Sequence, residues 1–290
     1  MLTPTTPFMQ LNILKKSILL LLITFMPISI WADNKNVTSE KYFSLIGDAD
    51  KAISEGNWLI AEQALQQAMR LEPGNPSNVL LMSNLGMIQF YDGRTDEALS
   101  TLTHAHNIAP KSVTVLMNRA RIYTSTYQPE LAEADYNTVI SLDSTLIEPR
   151  FYRAMLTLNS GNIEAAKTDV DTLVMMDSEN RLTNIAQATL LMTQRDFNGA
   201  IPHLSKAIES MPDATYYSQR AFCYLQLNDL SAASEDIASG LELDPTDAEL
   251  YVYRALLNKM RYRPDDAKID AEKALKFGAD AERVKKLLDL

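Results

Sequence analysis

The chain has 290 residues, of which 46% are apolar and 22% charged, a composition typical of a folded globular protein. It carries 27 Lys and Arg against 37 Asp and Glu, which gives a formal net charge of −10. This acidic balance argues against non-specific binding of nucleic acid, which needs basic patches, and favours basic partners. The single cysteine excludes a disulfide within the chain.

The first 32 residues have the pattern of a secretory signal peptide. Two lysines precede an apolar run over residues 17–30, and the small residue Ala32 follows it. Pro27 interrupts this run, which is shorter than the roughly 20 residues of a membrane-spanning helix. We therefore predict export with removal of the leader, to the periplasm of a bacterium or otherwise outside the cell, and no stable membrane span afterwards. An uncleaved anchor is the alternative.

After a short lead over residues 33–41, a pair of small residues recurs seven times between residues 42 and 280. The second member of each pair is an alanine, and an alanine or glycine lies 12 positions before it. The pairs are Ala49 and Ala61, Gly86 and Ala98, Ala120 and Ala132, Ala154 and Ala166, Ala188 and Ala200, Ala221 and Ala233, and Ala255 and Ala267. Small residues at fixed positions predict close helix crossings in every copy.

Glycine and proline divide each copy into two helices of roughly a dozen residues. Gly56, Gly93 and Gly161 share one position between the small residues, where we expect a turn. Pro73, Pro110, Pro212 and Pro245 follow the second helix of their copies. Beyond the last copy, residues 281–290 place Val284, Leu287 and Leu288 at helical spacing, which predicts a closing helix.

This pattern resembles the tetratricopeptide repeat, a helix-turn-helix unit of about 34 residues. The copy NLGMIQFYDGRTDEALSTLTHAHNIAP, residues 84–110, matches it best, although the aromatic residue late in the second helix occurs only as Tyr136. The resemblance implies an all-α fold, an α-α superhelix of about seven such units with a C-terminal capping helix.

An arginine and an aspartate 16 residues apart recur in four copies. They are Arg119 and Asp135, Arg153 and Asp169, Arg220 and Asp236, and Arg254 and Asp270. The other three copies carry neither the arginine nor the aspartate at these positions. Because presence and absence coincide, we predict a salt bridge within each of the four copies. Four equivalent pairs favour a structural role over a catalytic one.

Residues with chemical reactivity are few. The only histidines are His104, His106 and His203, and the first two point in different directions on a helix. No Gly-rich phosphate loop, His-Glu-His metal motif or serine elbow occurs. Cys223 lies on an apolar helix face, where a buried thiol is expected. We therefore predict no enzyme activity, metal or cofactor.

In tetratricopeptide proteins the first helices line a concave groove that binds peptides, so the resemblance implies such a site here. Its groove-facing positions hold Met87, Phe90, Met117, Arg121, Phe151, Met155, Leu158, Ile185, Met192, Phe222, Leu225, Val252, Leu256 and Lys259. This set is largely apolar, and its methionines are adaptable packing partners. Packing against the next repeat is the alternative for several, including Phe90, Leu158 and Leu225.

These features predict an exported, non-enzymatic scaffold that binds an apolar or basic protein or peptide through the groove. The alternative is a self-associating subunit, or an assembly subunit of a membrane complex, that uses its convex face or terminal repeats.

Overall fold

The structure is a computed structural model that describes residues 37–289. The predicted signal peptide and the beginning of the lead lie outside these residues. Within the described range all regular secondary structure is helical, in fifteen α-helices without a strand, and the predicted all-α superhelical fold class is confirmed. The described chain divides into two compact units, residues 37–149 and residues 150–289.

The first unit contains six whole helices and the start of a seventh. They are α1 (Val37–Ser54), α2 (Trp58–Leu71), α3 (Asn78–Tyr91), α4 (Thr95–Ile108), α5 (Val113–Ser125) and α6 (Pro129–Leu142), and α7 (Ile147–Asn159) begins at its end. Consecutive helices pack as pairs, α1 with α2, α3 with α4, and α5 with α6. Their apolar faces form the core of this unit.

The second unit contains most of α7 and eight further helices. These are α8 (Ile163–Met176), α9 (Arg181–Thr193), α10 (Phe197–Ser210), α11 (Ala214–Gln226), α12 (Leu230–Leu243), α13 (Ala248–Met260), α14 (Pro264–Lys276) and α15 (Ala281–Asp289). Helix α9 packs with α10, α11 with α12, and α13 with α14, and a hydrogen bond from Arg153 to Asp169 joins α7 and α8. Helix α15 packs on α13 and α14 through the buried residues Val284 and Leu287. Among residues 37–289, none of the helices has the length and apolarity needed to cross a membrane.

The small residues lie where the paired helices approach most closely, as predicted. Every alanine of the two series is buried, and all but Ala267 have no exposed surface. At Gly86 a side-chain Cβ would lie 2.7 Å from Leu102 Cγ and 3.3 Å from the carbonyl oxygen of Ala98. The close approach of α3 to α4 therefore depends on the absence of a side chain at this position.

The turns within the pairs share one backbone conformation. The residue five positions before each second-helix alanine has a positive φ in all seven pairs of the described chain: Gly56, Gly93, Tyr127, Gly161, Arg195, Asn228 and Tyr262. The turn predicted at three glycines is confirmed. Asn228 adopts this left-handed conformation readily, but Tyr127, Arg195 and Tyr262 show that packing of the helix pair imposes it even on residues that disfavour it.

Side chains cap several helices. At the start of α8, α10 and α12, the side chains of Asn162, Asp196 and Asp229 accept hydrogen bonds from backbone N–H groups three residues later. These carboxylates and amides satisfy N–H groups that have no partner inside the helix. The helix boundaries are thus encoded locally.

Candidate protein-interaction surface

The four arginines and four aspartates 16 residues apart contact each other across their helix pairs. In each pair the guanidinium Nε and Nη2 donate to the two oxygens of one carboxylate. The Nη2–Oδ1 distances are 2.7 Å for Arg119 and Asp135, 2.5 Å for Arg153 and Asp169, 2.7 Å for Arg220 and Asp236, and 2.7 Å for Arg254 and Asp270. This bidentate geometry joins the two helices of a pair at a defined distance.

These ion pairs are structural elements of the helix interface. The four aspartates are at most 5% exposed. The hydrogen bond to Asp135 raises the pKa of Arg119, although burial acts in the opposite direction. Arg220 and Arg254 show the same raised pKa from their aspartate partners. Since the charges neutralise each other inside the pair, they are poor candidates for contacts with a partner protein.

The predicted groove residues are mostly buried. Eleven of the fourteen are buried: Met87, Met117, Arg121, Phe151, Met155, Leu158, Ile185, Met192, Phe222, Leu225 and Val252. Only Phe90, Leu256 and Lys259 are half-exposed. The Phe222 ring, for example, lies 5.7 Å from the rings of both Phe197 and Tyr253. Most of this set therefore packs against neighbouring helices, and its role in peptide binding stays a prediction.

In the first unit, accessible apolar surface gathers around Phe90. The Trp58 and Tyr91 rings stack with centroids 5.6 Å apart, and the Phe90 and Tyr91 rings lie 5.9 Å apart. All three side chains are half-exposed. Trp58 and Tyr91 were not among the predicted groove residues, because their contact joins residues 33 positions apart in successive helix pairs.

A polar network lies on the first helices of the same unit. Arg121 Nη1 donates to Asn118 Oδ1 at 3.4 Å, and Asn118 Nδ2 donates to Ser83 Oγ at 3.0 Å. Arg121 Nη2 also lies 3.8 Å from a carboxylate oxygen of the half-exposed Glu148. Ser83 and Glu148 were not among the predicted groove residues. The network offers a cation and hydrogen-bonding groups beside apolar residues.

In the second unit, the groove-facing positions near the C-terminal end are partly closed by the last helix. Lys259 Nζ donates to the carbonyl oxygen of Leu287 at 2.8 Å. Leu256 is half-exposed and packs against the buried core of this unit. The exposed part of the predicted set is therefore small here.

The nucleophile and metal-ligand candidates are placed in structural roles. Cys223 has no exposed surface, and burial raises the pKa of its thiol to about 12, so the reactive thiolate is disfavoured. His203 Nδ1 lies 2.9 Å from Asn184 Oδ1, and burial lowers the pKa of its imidazole. Among the described residues no three His, Cys, Asp or Glu side chains are grouped to hold a metal ion.

Comparison with known proteins identifies the fold family. Two models described as tetratricopeptide repeat match residues 113–146 and 185–248. A tetratricopeptide repeat protein from Parabacteroides merdae, known from a crystal structure, shares 30% sequence identity with this chain and superposes on it with a TM-score of 0.69. The alignment covers 86% of this chain and 98% of that one. This chain belongs to the tetratricopeptide repeat family.

Curated tetratricopeptide relatives share only part of their length with this chain. The DnaJ homolog subfamily C member 7 of Homo sapiens is 29% identical over 99 residues, which cover 34% of this chain and 20% of that protein. The Hsp70-Hsp90 organizing protein of Triticum aestivum is 25% identical over 191 residues, which cover 64% of this chain and 32% of that protein. The similarity lies in the repeats, a scaffold fold found in proteins that bind other proteins.

Proposed function

We propose that this tetratricopeptide repeat protein is an exported, non-enzymatic scaffold that binds a segment of a partner protein on its first helices. The proposal includes seven repeats over residues 42–280, a closing helix over residues 281–290, and removal of the leader over residues 1–32. In a bacterium it acts in the periplasm. Its partner is a protein or peptide with apolar or basic groups, which suit an acidic chain with accessible aromatic side chains.

The observation that carries this proposal is the pairing of apolar and polar groups on the first unit. Phe90 is half-exposed beside Tyr91 on α3. On α5, the buried Arg121 donates to Asn118 of the same helix, and Asn118 donates to Ser83 on α3. Aromatic side chains provide apolar surface that a partner can bury. A guanidinium fixed by hydrogen bonds favours one orientation of a bound acceptor group. One relative is named as an organizing protein of Hsp70 and Hsp90, which supports a binding role.

Partner capture from native extract tests this function. The wild-type chain and a Phe90→Asp variant are compared by mass spectrometry of the proteins each retains. We expect the variant to lose the specific partners, because a carboxylate at a half-exposed aromatic site opposes burial by an apolar partner. Phe151 and Phe222 are unsuitable positions, since they are 2% and 7% exposed and a charge there destabilises the fold.

A matched control separates loss of the site from general loss of apolar surface. Met175 is 79% exposed on the second helix α8, so Met175→Asp introduces the same charge away from the first helices. Circular dichroism first establishes that both variants are folded. Identical partner sets for the wild type and the Phe90→Asp variant would contradict a binding site at Phe90.

Self-association is a second candidate function, and the distribution of charge favours it. Residues 37–72, the first helix pair, carry three Lys and Arg against six Asp and Glu. Residues 248–289, the last pair and α15, carry ten Lys and Arg against eight Asp and Glu. In a chain with an overall acidic balance, these two segments have opposite net charge and attract each other between copies.

A further inference from the structure

The first helix pair has an open groove on one face. Its volume is about 350 Å³, and Leu45, Ala52, Ile60 and Ala64 supply its apolar surface. Asp48, Lys51 and Glu55 also line it, so two carboxylates stand against one ammonium group. Ile60 is 54% exposed and the adjacent Leu59 is 67% exposed. This face therefore combines accessible apolar surface with a negative charge.

The equivalent face of the pair α11 and α12 is filled and covered. Arg220 and Asp236 occupy its centre, and Arg220 Nη1 donates to Ser205 Oγ on α10 at 2.7 Å. In the first pair the same repeat positions hold Asp48 and Ala64. Among residues 37–289 no helix precedes α1, so the described chain leaves this groove uncovered.

The last helix pair carries a patch of opposite charge, which we call the lysine-aromatic patch: Tyr251, Lys273, Lys276 and Phe277. The Tyr251 and Phe277 rings stack with centroids 5.4 Å apart. Lys273 Nζ lies 5.6 Å from the centre of the Tyr251 ring, and Lys276 Nζ lies 5.5 Å from that of Phe277. Both lysines are exposed and both rings are half-exposed. This patch is basic and apolar at once.

We infer that the groove of the first helix pair binds the lysine-aromatic patch of a second copy of this chain. The rings and lysine methylenes cover Leu45 and Ile60, while the ammonium groups approach Asp48 and Glu55. Opposite charges and exposed apolar area on both surfaces make them complementary. Because the two surfaces differ, the contact is head-to-tail and one copy can bind the next in an open chain.

The inference extends the second proposed function and does not depend on partner binding near Phe90. The protein is purified after expression of the full-length chain, and mass spectrometry reads its N-terminus. Sedimentation velocity over a range of concentrations then measures association. We expect concentration-dependent oligomers that weaken as salt rises from about 0.05 M to about 0.5 M, since salt screens the exposed charges.

Charge reversal tests the two surfaces separately. The variant Asp48→Lys with Glu55→Lys and the variant Lys273→Glu with Lys276→Glu each place like charges in the contact. Each variant alone should associate at least about tenfold more weakly than the wild type. A mixture should form heterodimers, because the intact groove of the second variant meets the intact patch of the first.

Two control variants reverse the same number of charges, with the same signs, at positions outside the groove and the lysine-aromatic patch. Glu133→Lys with Glu164→Lys, and Lys111→Glu with Lys167→Glu, alter exposed residues outside both surfaces and should associate like the wild type. The variant Ile60→Ser tests the apolar part of the groove without changing charge and should weaken association. A Phe90→Asp variant should associate normally, which separates this inference from partner binding.

Several outcomes would overturn the inference. A wild-type chain that stays monomeric at about 100 μM, where a contact of micromolar Kd would be occupied, excludes the contact. Equal weakening by the control variants would show only a general effect of net charge. Weakened variants whose mixture stays monomeric would show that the two surfaces do not meet each other.

Discussion

At the scale of single residues, the pair Arg119 and Asp135 is among the most deeply buried charges of the fold. Their side chains are 11% and 7% exposed, and the two charges neutralise each other through two hydrogen bonds. A carboxylate or guanidinium left alone in such a place loses its solvation without compensation. The pair therefore stabilises the α5 and α6 interface mainly because either charge alone is unfavourable.

We predict that Asp135→Ala lowers the free energy of unfolding by about 3 kcal/mol, because it leaves Arg119 buried without its partner. The double variant Arg119→Ala with Asp135→Ala should lose less than the sum of the two single variants. Urea denaturation of the four proteins measures this coupling. In the equivalent pair Arg254 and Asp270 the arginine side chain is 33% exposed, so the coupling free energy between these two residues should be smaller. Strictly additive losses at Arg119 and Asp135 would contradict a stabilising contact.

Tyr262 shows backbone strain at a single exposed residue. Its φ is 58°, and 94% of its surface is accessible. We predict that Tyr262→Gly raises the free energy of unfolding by about 0.5–1 kcal/mol, since glycine adopts positive φ readily but has more freedom in the unfolded chain. Thermal denaturation measures the change. Tyr262→Ala is the control, because it removes the ring and keeps the strain. Equal stability of the two variants would argue against relief of strain.

At the scale of helices, identical glycine substitutions should have opposite effects in α1 and α3. Gly47 lies exposed in α1 with nothing within 4 Å of its added Cβ, so Gly47→Ala should stabilise by about 0.5–1 kcal/mol. In Gly86→Ala the new Cβ meets Leu102 at 2.7 Å. We expect a net loss of about 1–2 kcal/mol there, because overpacking outweighs the helix preference of alanine. Urea denaturation measures both, and stabilisation by Gly86→Ala would contradict the close crossing of α3 and α4.

The repeat pattern in the sequence predicts the contacts between the two helices of a pair. The small residues, the turn glycines and the spacing of 16 between arginine and aspartate all concern contacts inside one helix pair. Such contacts recur at fixed separations along the chain, so their period is visible without a structure. The left-handed turns at Tyr127, Arg195 and Tyr262 were not predicted, because these residues give no local signal for positive φ.

At the scale of the whole molecule, the proposed export with removal of residues 1–32 predicts a new N-terminus. We expect the full-length chain, expressed in a bacterium that secretes through the same route, to be recovered starting at Asp33. Intact-mass spectrometry of the purified protein checks this. The variant Ala32→Arg should block processing, because signal peptidase sites require a small residue there. Recovery of the wild-type chain with residues 1–32 attached would favour the uncleaved anchor.

The acidic chain is also expected to respond to salt as a whole. The like net charge of separate copies makes them repel each other, while the proposed contact between the first and last helix pairs would bring opposite charges together. The first effect favours monomers and the second favours chains of copies. Sedimentation at low and high salt therefore distinguishes a solitary scaffold from a head-to-tail assembly.

The sequence by itself determined the all-α architecture, the family and the contacts within each helix pair. These depend on helical periodicity, small residues at crossings and matched charges, all of which are local or strictly repeated. Only the tertiary structure decided which groove-facing residues are accessible. Phe151 and Phe222 are buried while Phe90 is half-exposed, although all three were predicted to face the groove. Burial depends on how closely one helix pair packs on the next and on the bulk of the neighbouring side chains, and no single repeat contains that information.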